Sequence, residues 1–251
     1  MPLAPGPSSI LILADPVFEP DDPRIKRGSG RHAQSSASAD LVRSQNWRHQ
    51  ARGVWRGNYL PRLVGTRQEA NAIRANFAQD KSLVALDFDA QRSLIFETDL
   101  SSYHYLQFAT HGIFNSDYPE LSGLILSLVS PDGRQQNGFL QLHDIYTLKL
   151  NAELVVLSSC QSGLGQEVTG EGIVGLTRGF MYAGTSRVIA SLWAINDDTT
   201  SELMKEFYRT MLSEHLSPGT ALRKAQLALW QRTPRQNPYF WAGFVLQGDW
   251  K

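Results

Sequence analysis

The 251-residue chain has one cysteine, no net charge and no long apolar run. A single cysteine excludes an internal disulfide and fits a reducing compartment, so a cytoplasmic location is expected. Lys plus Arg and Asp plus Glu number 24 each, so no overall basic field draws the chain to nucleic acid or to an anionic membrane. No apolar stretch approaches the ~20 residues of a membrane span. The early apolar run at Ile10 to Ala14 has no basic residue before it, which argues against a secretory signal and for a buried strand. The Gly-Lys-Ser/Thr of a phosphate loop and the Gly-x-Ser-x-Gly nucleophile elbow are both missing. With no second cysteine and no histidine pair at helical spacing, no metal is expected either.

What is present is an alternation of apolar strands and helical patterns. Ile10–Leu13, Leu83–Leu86, Tyr105–Thr110, Leu124–Val129, Leu154–Ser158, Arg187–Leu192 and Tyr239–Leu246 read as strands. Thr66 with Glu69 three residues later reads as a capping box, opening a helix whose apolar face carries Ala70, Ile73 and Phe77. Further helices are expected over Gln91–Phe96, Gln141–Tyr146, Gly172–Ala183, Asp197–Leu212 and from Pro218, with Ser217 as cap. The alternation predicts an α/β domain with a mostly parallel sheet covered on both faces. Residues 19–58 break the pattern, being rich in Pro, Ser, Gly, Arg and Gln, and read as a disordered basic insertion.

Two segments carry the chemistry. FATHG ends in His111 and Gly112, and LVVLSSCQSG contains Cys160. Each is a strand running into a polar turn, which puts its residue at the carboxyl end of a strand, where open α/β sheets hold their ligand crevice. The bland alternative for Cys160 is burial as a small apolar residue. The Ser158-Ser159 before it and Gln161-Ser162-Gly163 after it argue for a position near solvent. His111 activates the thiol if strands 105–110 and 154–158 are neighbours. His104 begins the first of these strands, His143 falls in a helix, His215 at a helix end, and His32 and His49 in the insertion. Gly112 permits close backbone approach to a substrate, and its amide can share an oxyanion with that of Cys160. Gly163-Leu164-Gly165 and Gly170-Glu171-Gly172 read as a loop bordering the site. About fifty residues separate His111 from Cys160, the upstream-histidine spacing of caspases.

FATHG, ELSGLILS, LVVLSSCQSGLG, GIVGLTRGFMYAGTSRVIASLWAINDDTT, LMKEFYRTML, ALRKAQLAL and PYFWAGFVLQGDW together resemble the CHAT domain, the caspase-like domain often linked to tetratricopeptide repeats. The resemblance runs from about residue 60 to the end, and ILILADP resembles the first strand region of such domains. It implies a caspase-like three-layer α/β/α sandwich, divided into a first strand region (1–18), the insertion (19–58) and the main body (59–251). It also implies a cysteine endopeptidase whose dyad falls on His111 and Cys160. The segment LWAINDD is similar to a separase segment whose last Asp meets a basic P1 side chain. That position is Asp197, or Asp198 if the register slips by one. Against this, Asp197 can simply cap the helix it opens, with Thr200 three residues on. RIKRGSGR offers a self-cleavage site to an Arg-preferring peptidase, or else is an unstructured stretch. No cofactor is implied. The partners implied are a protein or peptide substrate and a tetratricopeptide-repeat or sensor protein, with no nucleic acid and no membrane. The rival expectation is a catalytically silent or latent interaction module.

Overall fold

The computed structural model describes residues 8–26, 60–113, 122–158, 171–193, 195–232 and 236–249. Cys160, the stretch 163–170, His32, His49 and most of RIKRGSGR and of the insertion lie outside these residues.

The strands form two sheets. β1 (Ile10–Pro16), β2 (Ser82–Asp87), β3 (Tyr105–Ala109), β7 (Leu154–Leu157), β8 (Arg187–Ser191) and β9 (Phe244–Gly248) make a six-stranded sheet in the order β2-β1-β3-β7-β8-β9. All its pairs are parallel except β8 with β9. β4 (His111–Ile113), β5 (Gly123–Ile125) and β6 (Phe139–Gln141) make a small antiparallel sheet. Successive strand side chains point to opposite faces. Leu11, Leu13, Leu106, Phe108, Val155 and Leu157 therefore pack on one side, against Ile95, Ile145, Leu176 and Phe180. These four belong to α2 (Arg92–Glu97), α3 (Leu142–Tyr146) and α4 (Glu171–Tyr182). On the other side, Ile10, Ile12, Tyr105, Leu154 and Val156 meet Ala70, Ile73, Leu203, Phe207, Leu222 and Ala225. Those come from α1 (Val64–Arg74), α5 (Asp197–Ser213) and α6 (Pro218–Trp230). Covering both faces is why the strands read as nearly unbroken apolar runs. The result is a three-layer α/β/α sandwich with a mostly parallel sheet, the architecture that the resemblance implies.

Three local readings change. The helix α1 begins at Val64, so Thr66 lies inside it and does not cap it. The Thr66 hydroxyl instead donates to the Leu63 carbonyl at 2.7 Å and accepts the Asp15 amide at 3.0 Å. Glu69, one turn on, is turned into the core rather than back to the helix start. The strand expected over Leu124–Val129 stops at Ile125. After Leu126, whose amide donates to the Gly138 carbonyl, the amides turn elsewhere, Ser127 donating to the Ala90 carbonyl and Leu128 to that of Val17. The last aromatic segment begins as a short 3₁₀ turn at Pro238–Phe240, and only Phe244–Gly248 is strand.

Candidate active site

Both proposed catalytic segments leave neighbouring strands. β3 pairs with β7, Phe108 facing Leu157, and the Ser158 amide donates to the Phe108 carbonyl at 3.1 Å. His111 and Cys160 each follow one of these paired residues by three positions. The two strands are therefore neighbours, as a pairing of His111 with Cys160 would require, while Cys160 itself lies outside the described residues. Beyond Ala109 the chain does not turn loosely. It enters β4, with His111 opposite Ile125 and Gly112 opposite Leu124.

The imidazole of His111 is 2% exposed and lies 4.9 Å, ring to ring, from Phe18. Its Nε2 is 2.7 Å from the Pro61 carbonyl oxygen. A carbonyl only accepts, so Nε2 carries the proton and Nδ1 holds the lone pair. Nδ1 is buried and has no hydrogen-bond partner among the described residues. An unmet buried acceptor costs about 1–3 kcal/mol, and such groups occur where chemistry uses them. Burial holds the His111 pKa below the ordinary histidine value, against the opposing pull of the Pro61 carbonyl.

The carbonyl that orients His111 is itself held by ions. Arg62, the next residue, makes two bonds to Asp15, Nε at 2.8 Å and NH2 at 2.6 Å. Asp15 is fully buried at the carboxyl end of β1 and also receives Arg67 at 2.8 Å and Arg24 at 3.0 Å. Arg24 and Arg67 both reach on to Asp87 at the end of β2. Arg24 is the first residue of RIKRGSGR, and its guanidinium is fully engaged with Asp15, Asp22 and Asp87. Leu60 completes the anchor, its amide donating to Glu19 at 2.9 Å. Sequence reasoning missed Pro61, since a backbone carbonyl leaves no mark in residue types.

Asp197 does not cap its own helix. Asn196 does, its side chain accepting the amides of Asp198 at 3.0 Å and Thr199 at 3.4 Å. The Asp197 carboxylate instead accepts the Gly65 amide at 2.6 Å, serving the first turn of α1, where Leu63 offers no side-chain cap. Burial is the first cause raising its pKa, opposed by the Gly65 bond and reinforced by Asp198 and Asp15. Gly65 is needed here, because a β-carbon at that position would come 2.7 Å from the Asp197 Cγ. Asp198 is exposed.

The other histidines are placed elsewhere. His104 Nδ1 lies 3.0 Å from the Ser9 hydroxyl, at the amino end of the sheet. His143 contacts Asp144 on α3, and His215 follows α5 with a positive φ. No cluster of metal-ligating side chains occurs among the described residues. None of their helices is long and apolar enough to cross a membrane.

The sequence model of the CHAT domain family matches residues 7–249. Tetratricopeptide repeat protein 28 of Mus musculus is 35% identical over 106 residues, covering 42% of this chain and 4% of that protein. Its Homo sapiens counterpart is 31% identical over 141 residues, 56% of this chain and 5% of the other. The chain thus spans only a small fraction of the curated relatives it matches. Among solved structures, the Arg-specific cysteine proteinase gingipain R is similar with a TM-score of 0.47 and 11% identity, over 97% of this chain and 46% of that one. The Saccharomyces cerevisiae separase–securin complex is similar at 0.44 and 13%, over 96% and 12%.

Proposed function

The chain belongs to the CHAT domain family, and on that premise we propose that it is a cysteine endopeptidase acting through His111 and Cys160. The observation that carries this reading is the state of His111. One ring nitrogen is tied to Pro61 and the other, buried, accepts from nothing described. It follows β3, which pairs with the strand that leads to the only cysteine.

In this reading the Cys160 thiol passes its proton to His111 Nδ1, and the sulfur attacks the scissile carbonyl carbon. The oxyanion that forms is met by the amides of Gly112 and Cys160. His111 returns the proton to the leaving amine as the C–N bond breaks. Water then gives a proton to His111 and its hydroxyl to the thioester, releasing the acid and restoring the thiol. Asp197 would select a P1 Arg or Lys, with one carboxylate oxygen on Gly65 and the other left for the cation. Asp198 is the alternative selector. The single cysteine supports a cytoplasmic setting. The tetratricopeptide-repeat relatives support a repeat or sensor protein as regulator.

One observation favours a second reading, a latent or silent module of the same fold. His111 is only 2% exposed, so a substrate carbonyl reaches the dyad only after its surroundings open. The test is a fluorogenic peptide library varied at P1, run beside Cys160→Ala, with an acyloxymethyl-ketone probe on the thiol. Turnover after Arg or Lys that vanishes in the variant supports the peptidase. No turnover and an inert thiol would overturn it and leave the module.

A further inference from the structure

A second buried polar group lies beneath the same strand ends. Glu69 projects from α1 into the face of the sheet that α1, α5 and α6 cover, and it is fully buried. Its Oε1 accepts from Gln107 Nε2 and from the Ser158 hydroxyl, each at 2.6 Å. Gln107 is the middle residue of β3, and Ser158 follows β7, two residues before Cys160. Gln107 Nε2 also reaches the Ser158 oxygen at 2.9 Å, and the Tyr208 hydroxyl of α5 donates to Gln107 Oε1 at 2.9 Å. Glu69 Oε2 has no hydrogen-bond partner among the described residues.

We propose that Glu69 is a positioning residue for the nucleophile, clamping the end of β7 at Ser158, two residues before Cys160. This rests on the peptidase reading above for its consequence, though not for its geometry. No hydrophobic packing requires a carboxyl here. Burying one costs free energy that a leucine at this position would avoid. The groups facing it set its charge. Asp197 and Tyr208 come from α5, Gln107 from β3 and Ser158 from the end of β7, and no cation among the described residues is paired with it. Burial is the main cause pushing its pKa up to about 8, with Asp197 adding to the rise and the Ser158 and Gln107 bonds opposing it. Burial thus favours the carboxylic acid over the carboxylate near neutral pH, and the proton leaves as pH rises through about 8. Ionisation then tightens the bonds from Ser158 and Gln107 and puts a charge beside Asp197, so the pull on the end of β7 changes.

The experiment uses the full chain and its one cysteine as reporter. The alkylation rate of Cys160 by iodoacetamide is followed by intact mass from about pH 6 to about pH 9.5, alongside turnover of a basic-P1 peptide, since a displaced reacting atom costs up to ~100-fold. Glu69→Gln keeps the neutral shape. It should match wild type below pH 8, and the wild-type-to-variant rate ratio should depart from one above it. Glu69→Ala should change the alkylation rate about tenfold or more across the range and lower kcat with KM little changed. A flat ratio for Glu69→Gln, or Glu69→Ala alkylating as wild type while circular dichroism reports a folded chain, would overturn the positioning role. A chain that turns over no peptide yet gives these alkylation differences supports the clamp and refutes constitutive peptidase activity instead.

Discussion

The Nε2–H of His111 donates to the carbonyl of Pro61 across 2.7 Å, joining residues fifty positions apart. That bond chooses the tautomer. It leaves Nδ1 as the only ring atom able to take a proton, and it does so before any substrate is present. Because burial also lowers the His111 pKa, the imidazole stays neutral to more acid pH than an ordinary histidine.

The acid limb of kcat/KM should consequently lie below the unperturbed histidine value of about 6.5. His111→Ala should lower kcat by about 10³-fold or more. A pH–rate profile checks the first and single-turnover kinetics the second. An acid limb at or above the ordinary histidine value would show that His111 is not the group that titrates.

Gly65→Ala should push the Asp197 carboxylate away, since the new methyl would lie 2.7 Å from its Cγ. Asp197→Asn removes the charge and keeps an oxygen for the Gly65 amide. Both should reduce the preference for P1 Arg over P1 Leu by about tenfold or more, comparable to losing a desolvated charged contact. Comparison of kcat/KM for matched peptides reads this directly. If Asp198→Asn has the effect and Asp197→Asn does not, the selector is the exposed neighbour.

Asp15→Ala would leave Arg24, Arg62 and Arg67 facing one another without their shared carboxylate. Removing one partner of a buried ion pair costs about 3–5 kcal/mol. The three arginines are partly exposed here, so about 3 kcal/mol is the expected loss in urea unfolding. The same variant should lower Cys160 reactivity, because Arg62 holds the residue that orients His111. A loss below about 0.5 kcal/mol, the size of an ordinary surface change, would mean the cluster is solvated.

Glu69 also makes stability depend on pH. Its folded pKa, about 8, lies above its ordinary value of 4.5, so between these values the folded chain binds more protons than the unfolded one. Stability from this group is complete below the lower value and is lost as pH rises toward the upper. The Tm of wild type should fall relative to Glu69→Gln across that interval, and calorimetry at several pH values would read the difference. Parallel curves would place the Glu69 carboxyl in water.

The sheet was legible because its physics is local. The apolar runs at Ile10–Leu13, Leu154–Leu157 and Arg187–Ser191 admit one arrangement, strands buried on both faces, and the helices between them make the crossovers parallel. His111 and Cys160 were singled out because each follows such a strand. The Thr66–Glu69 pattern misled. Threonine followed by glutamate three residues on marks a helix start only when both side chains stay with their own backbone, and here Asp15 claims one and Ser158 the other.

By itself the sequence determined the α/β class and the strands and helices of the main sheet, and it singled out His111 and Cys160 as candidates, all of which depend on residue type and near-neighbour spacing. Tertiary structure alone decided that Pro61 orients His111, that Asn196 rather than Asp197 caps α5, and that Glu69 lies under Ser158. Each of these joins a group to a backbone atom or a buried partner supplied by packing. Hydrogen-bond partners at such separations carry no periodicity, so only the folded chain assigns them.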